Sequence, residues 1–142
     1  MKIAIINGPN LNLLGKREPD IYGNLSFESF FEALQTKFPT IQLVYFQSNV
    51  EGELIDALQL HGFDANGIII NPGGYTHTSV AIGDAIASIP AKVIEVHISN
   101  IHAREDFRKL SHVSAKAVGT IAGLGLLGYS LAIEWFIQHK SA

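Results

Sequence analysis

Residues able to do acid–base chemistry gather in three clusters, each following a short apolar run. The first runs from Asn7-Gly8-Pro9-Asn10 through Lys16-Arg17-Glu18-Pro19-Asp20-Ile21-Tyr22-Gly23. Arg17 and Tyr22 lie five apart with Pro19 between them, so a bend can set a permanent positive charge beside a phenol. The plainer alternative is an exposed Arg and a Tyr packed on the surface. Connections in alternating strand–helix folds usually run about 2–6 residues; this one is far longer, which favours a lid or binding loop.

The second cluster is Asn71-Pro72-Gly73-Gly74-Tyr75-Thr76-His77-Thr78-Ser79. Two glycines ahead of a helix allow close backbone approach, and free amides at the helix start suit an anionic group. His77 and Asp84, seven residues apart, would share a helical face. Alternatively, Asn71 caps a turn and His77 faces solvent. The third cluster is Glu95-Val96-His97-Ile98-Ser99-Asn100-Ile101-His102, followed by Arg104 and Arg108. Glu95, His97 and Ser99 alternate along a strand and point to one face. Three polar groups there are costly in a buried sheet unless paired. A carboxylate behind the imidazole would fix its tautomer and favour the protonated ring; the alternative is a satisfied core histidine. A metal site at His77, His97 and His102 lacks both HxxxH spacing and a Cys ligand.

The elements that must position these clusters alternate in type. Lys2–Asn7 is a β-branched apolar run stopped by Gly8-Pro9. Ser26 can cap a helix carrying Phe27, Phe30, Phe31, Leu34 and Phe38 at helical period, ended by Pro39. Ile41–Gln47 alternates like a strand, and Glu51–Gly62 reads as a helix with an acidic start. Ile68–Asn71 and Lys92–His97 are the third and fourth strands, around a helix predicted over His77–Ile89. A short charged helical stretch over 102–110, a fifth strand over Val118–Ala122 and a last helix over Leu126–His139 complete the chain. Five strands alternating with helices imply a parallel sheet covered on both faces. With right-handed crossovers, the expected fold is α/β, flavodoxin-like and doubly wound, in strand order 2-1-3-4-5, as one domain over residues 1–142. Ligands in such sheets bind beyond the carboxyl ends of the strands, at the switch between strands 1 and 3, and the three clusters follow strands 1, 3 and 4.

Composition narrows the function. Of 142 residues none is Cys, which removes disulfides, thiolate metal sites and cysteine nucleophiles. Formal charge is −3 with ten scattered basic residues, so the Lys/Arg stripe of a nucleic-acid binder is missing, and an acidic membrane is an equally poor partner. Thr120 to Ile137 approaches the length of a membrane span, but Gly123, Gly125, Gly128 and Glu134 interrupt it. A strand, a glycine turn and a buried helix explain it better. The N-terminal apolar run is too short for a signal sequence, which makes the cytoplasm the expected location. Gly123-Leu124-Gly125-Leu126-Leu127-Gly128 satisfies GxGxxG. A dinucleotide fingerprint also needs an acidic residue about 20 positions on, and only fourteen helical residues follow. Tight strand-to-helix packing is the better account of these glycines.

The three clusters together resemble the type II dehydroquinase (3-dehydroquinate dehydratase) family over nearly the whole chain. The matching stretches are residues 7–23, Asn71 to Ser79 with Asp84, and Glu95 to Asn100 with Arg104-Glu105 and Arg108. Gly74 stands where alanine is common, which would loosen that turn, and His112 where an aromatic is usual. The resemblance implies trans-elimination of water from 3-dehydroquinate through an enolate, in the shikimate route to aromatic amino acids. It implies no cofactor, metal or covalent intermediate. In it Tyr22 is the base, acting as tyrosinate, with Arg17 stabilising the anion and Asn10 positioning a water at the enolate. His97 is the acid, supported by Glu95. Asn71, the Ile98 and Ser99 amides and the Ser99 hydroxyl hold the substrate carboxylate and a nearby hydroxyl, while His77 and Arg108 bind ring hydroxyls. Asp84 reaches a site across a subunit boundary in a dodecamer of trimers. The apolar last helix (Leu131, Ile133, Trp135, Phe136, Ile137) is compatible with an interface. A lysine Schiff-base mechanism would need a desolvated lysine at a strand's carboxyl end, and no lysine here is so placed. Two rival readings are a flavin- or nucleotide-binding module of the same fold and a structural oligomer without activity.

Overall fold

The computed structural model describes residues 1–16, 20 and 25–140. Five strands form one parallel sheet: β1 (Lys2–Asn7), β2 (Gln42–Gln47), β3 (Gly67–Asn71), β4 (Lys92–His97) and β5 (Gly119–Ala122), in order β2-β1-β3-β4-β5. Among the described residues four α-helices cover it: α1 (Phe27–Lys37), α2 (Glu51–Gly62), α3 (Val80–Ala87) and α4 (Leu127–Gln138). This is the flavodoxin-like doubly wound arrangement that the alternation predicts. The central strands read as near-continuous Ile runs because both of their faces are buried: Ile3, Ile5, Ile6, Ile68, Ile69 and Ile70 are all fully buried.

Strand alternation divides the core. Ile3, Ile5, Ile69, Ile94 and Val96 pack against Phe27 and Leu34 of α1 and Tyr129 and Ile133 of α4. Ala4, Ile6, Ile68, Ile70 and Val93 face Leu54 and Leu58 of α2 and Ile82 and Ile86 of α3. Ser26 begins α1 as expected, its Oγ accepting from the Ser29 amide at 3.2 Å, a cap whose removal costs about 1 kcal/mol.

Three expectations change. The predicted helix over 77–89 starts at Val80, because Ser79 Oγ accepts from the Ile82 amide and acts as its cap. Residues Gly73–His77 form a 3-10 turn instead, so His77 and Asp84 do not share a helical face. Of the amides at the start of α3, that of Ile82 is taken by the Ser79 side chain. The stretch over 102–110 is two 3-10 turns, Ile101–Ala103 and Asp106–Lys109. In α4, Ile133 and Phe136 are buried in the chain's own core, and only Leu131 of the five named apolar residues counts as exposed. Among the described residues no helix is long and apolar enough to cross a membrane.

Candidate active site

The carboxyl ends of β1, β3 and β4 meet at a solvent-open cleft of about 160 Å³. The Gly8 amide donates to the Asn71 carbonyl at 2.7 Å, tying the ends of β1 and β3. A side chain at residue 8 would put its Cβ 2.6 Å from the Pro72 oxygen, so glycine alone permits that approach. Asn10 follows in the left-handed region (φ 71) and opens the 3-10 turn Leu11–Leu13. Gly74, by contrast, has open space where a Cβ would stand and no positive φ, so an alanine fits there equally well.

Asn71 is buried at the end of β3, and its amide orientation follows from its partners. Its Nδ2 donates to the Tyr129 hydroxyl at 3.0 Å, and its Oδ1 accepts from the Gly73 amide at 3.1 Å. The Tyr129 hydroxyl in turn donates to Asn7 Oδ1 at 2.8 Å. One Asn71 N–H remains for a ligand in the cleft. Burial pushes the Tyr129 phenol well above its usual range. Burial, partly offset by the Asn7 bond, pushes Tyr45 up to about 12. Both stay neutral struts.

On the opposite face of the sheet Glu95, fully buried, faces His97, which is 5% exposed. Glu95 Oε2 meets His97 Nε2 at 2.5 Å and accepts from Thr76 Oγ1 at 2.5 Å, while Oε1 accepts from Ser114 Oγ. Burial is the largest influence on this carboxyl and pushes it up. The bond to and charge of His97, with the Ser114 and Thr76 bonds, outweigh burial and hold it below its ordinary value of 4.5. A depressed carboxyl contributes stability that is complete above its unfolded value and lost as pH falls through the folded one. Glu95→Gln is therefore expected to be less stable at neutral pH by about 3 kcal/mol, since it breaks a buried pair. It should also lose less stability than the wild type between about pH 4.5 and the acid end. Urea midpoints measured at stepped pH check both.

His77, also buried, donates from Nδ1 to the Leu110 carbonyl at 2.7 Å, a role the acceptor-only oxygen dictates, and so keeps Nε2 for the cleft. Arg108 donates from Nε to Glu105 Oε2 at 2.5 Å and keeps its terminal nitrogens for a ligand. Asn10, Asn71, His77, His97, Ile98, Ser99 and Arg108 thus line one cleft. Asp84 is exposed on α3 and does not line it; nor does His102. Arg17 and Tyr22 lie outside the described residues. The sequence reading assigned no role to Arg104 or to the apolar wall of Leu11, Leu13, Leu14 and Ile101. The wall's signal was the Leu-Asn-Leu-Leu repeat after Asn10, whose apolar members line a cleft rather than a core alone.

Comparison with known proteins agrees with this arrangement. The family profile described as Dehydroquinase class II matches residues 1–137. The chain is 53% identical over 140 residues to the 3-dehydroquinate dehydratase of Exiguobacterium sp. (strain AT1b), covering 98% of this chain and 96% of that protein. The crystal structure of type II dehydroquinase from Butyrivibrio crossotus superposes with a TM-score of 0.92 at 48% identity, covering 96% of this chain and 97% of the other. The type II dehydroquinase of Propionibacterium acnes also gives 0.92, at 41% identity and with 96% of each chain covered. The chain belongs to the class II dehydroquinases and, with them, is a hydro-lyase.

Proposed function

We propose that this chain eliminates water from 3-dehydroquinate in trans fashion, giving 3-dehydroshikimate for aromatic amino-acid synthesis. The observation that carries the reading is an imidazole at the mouth of the sheet, held by a buried carboxylate, beside oriented amide, imidazole and guanidinium donors. A base removes the proton beside the ketone, an enolate forms, and an acid protonates the neighbouring hydroxyl as it leaves as water. His97 is that acid: Glu95 holds its Nε2, and the residue lines the cleft. Glu95 fixes the ring so that it can deliver a proton to the leaving hydroxyl.

The base is a tyrosine. Of four tyrosines, Tyr45 and Tyr129 are held neutral in a buried network, and the Tyr75 hydroxyl donates to the Asn49 carbonyl at 2.9 Å. The family resemblance makes Tyr22 that base, with Arg17 to stabilise its anion. Asn10 positions a water that stabilises the developing enolate oxygen. Asn71 and the Ile98–Ser99 backbone, with the Ser99 hydroxyl, take the substrate carboxylate; His77 and Arg108 take ring hydroxyls. Among the described residues no lysine lines the cleft, which disfavours the Schiff-base route.

Asp84 serves the site of a neighbouring copy, in keeping with its exposed place on α3, and the chain assembles as trimers within a dodecamer. Exposed Val80, Phe107, Leu110 and Leu124 supply apolar surface for those contacts. The protein acts in the cytoplasm as one catalytic domain. Adding 3-dehydroquinate to the purified protein is expected to raise enone absorbance. A silent assay with folded protein overturns the reading.

A further inference from the structure

The buried carboxylate has more partners than an imidazole support requires. Ser111 Oγ lies 3.4 and 3.5 Å from the two Glu95 oxygens and 2.6 Å from Thr76 Oγ1. It also accepts from the Val113 and Ser114 amides, both at 3.0 Å. Donor roles follow by counting. A carboxylate only accepts, so the single Thr76 hydroxyl proton goes to Glu95 Oε2, and the Thr76–Ser111 bond must be donated by Ser111. Two backbone amides thus polarise the Ser111 hydroxyl, which polarises Thr76, which donates to the oxygen that holds His97.

The segment bearing these hydroxyls is itself anchored. The His112 amide donates to the Thr76 carbonyl at 2.8 Å, and the Leu110 carbonyl accepts from His77. Gly83 of α3 lets the helix press on it; a Cβ there would stand 2.4 Å from the His112 oxygen. We propose that Thr76, Ser111 and Ser114 are positioning residues for the acid step. Their hydroxyls form a directed relay that keeps Glu95 charged and its Oε2 against His97, and residues 110–114 set His77 and this pair in one register.

This rests on His97 being the acid. Besides Glu95, the charged and titratable groups around it among the described residues are His77 from the turn after β3, and Arg104 and Arg108 from the segment after β4. His112 meets the site through its backbone, Asp84 of α3 is exposed, and β5 contributes only the Thr120 hydroxyl.

Thr76→Val removes the relay's last proton at nearly constant volume, and Thr76→Ser keeps it. Thr76→Val is expected to lower kcat about tenfold, a part of the roughly 10²–10⁴ that a positioned acid supplies, with KM little changed. The descending limb of kcat should move to higher pH, because a carboxylate that loses a hydrogen-bond donor is a stronger base and holds the His97 proton more tightly. Thr76→Ser should restore both. An unmoved limb, a loss confined to KM, or a Thr76→Ser as impaired as Thr76→Val overturns the relay. If Thr76→Val does not fold, Ser114→Ala is read by the same measurements. An NMR titration of the His97 ring needs no turnover and so separates this inference from the substrate assignment. A titration displaced in Thr76→Val supports the relay even where the wild type leaves 3-dehydroquinate untouched, and one that is unchanged overturns it.

Discussion

His97→Ala is expected to lose about 10²- to 10⁴-fold in kcat, the range over which a positioned general acid acts, while KM changes little. The split follows from what each group touches. In the proposed site the substrate carboxylate is taken by Asn71 and the backbone after β4, and the ring hydroxyls by His77 and Arg108, so ground-state binding should survive without the imidazole. What disappears is the proton for the departing hydroxyl, needed only as the C–O bond breaks. Truncation also strips Glu95 of its imidazole partner and leaves the carboxylate facing hydroxyls, those of Thr76 and Ser114 foremost. The two measurements that check this are steady-state kcat and KM by enone absorbance and a urea midpoint. A variant whose KM rises as much as its kcat falls would make His97 a binding residue rather than the acid.

The sheet and the strand-end clusters were legible because their signals are local. The ends of β1, α2 and β4 fall where a Gly-Pro, a glycine stop and the apolar run place them, since chain stiffness and burial act residue by residue there. His77 was misplaced by its neighbour: Ser79 competes as a cap, and its bond to the Ile82 amide restarts the chain as a helix three residues later. The supports beneath the site were not legible. The expense of burying Glu95 and His97 on one strand face shows that partners must exist, but Thr76, Ser111 and Ser114 stand 16–19 residues away. Asn7 and Tyr129, which bracket Asn71, are 122 residues apart. No periodicity encodes such pairs; only the crossover connections bring them together.

Tyr22→Phe removes the proposed base and is expected to lower kcat by about 10²–10⁴ as well, with the ascending limb of the pH profile lost. An ordinary phenol titrates near ~10, so work at neutral pH needs a shift of about three units, roughly 4 kcal/mol in favour of the anion. Of the tyrosines whose surroundings are described, burial moves Tyr45 and Tyr129 in the opposite direction, which is why neither can substitute. A guanidinium supplies the required sign and cannot itself give up its proton. Arg17→Ala should therefore displace the ascending limb to higher pH, because the phenolate, the form that removes the carbon-bound proton, then appears later in the titration. At a fixed neutral pH the variant is slow; at alkaline pH it recovers part of its rate, whereas Tyr22→Phe recovers none. That contrast separates a lost base from a base made weaker at neutral pH, and an Arg17→Ala profile superimposable on the wild type, with substrate still bound, would move the source of the anion's stabilisation elsewhere in the cleft.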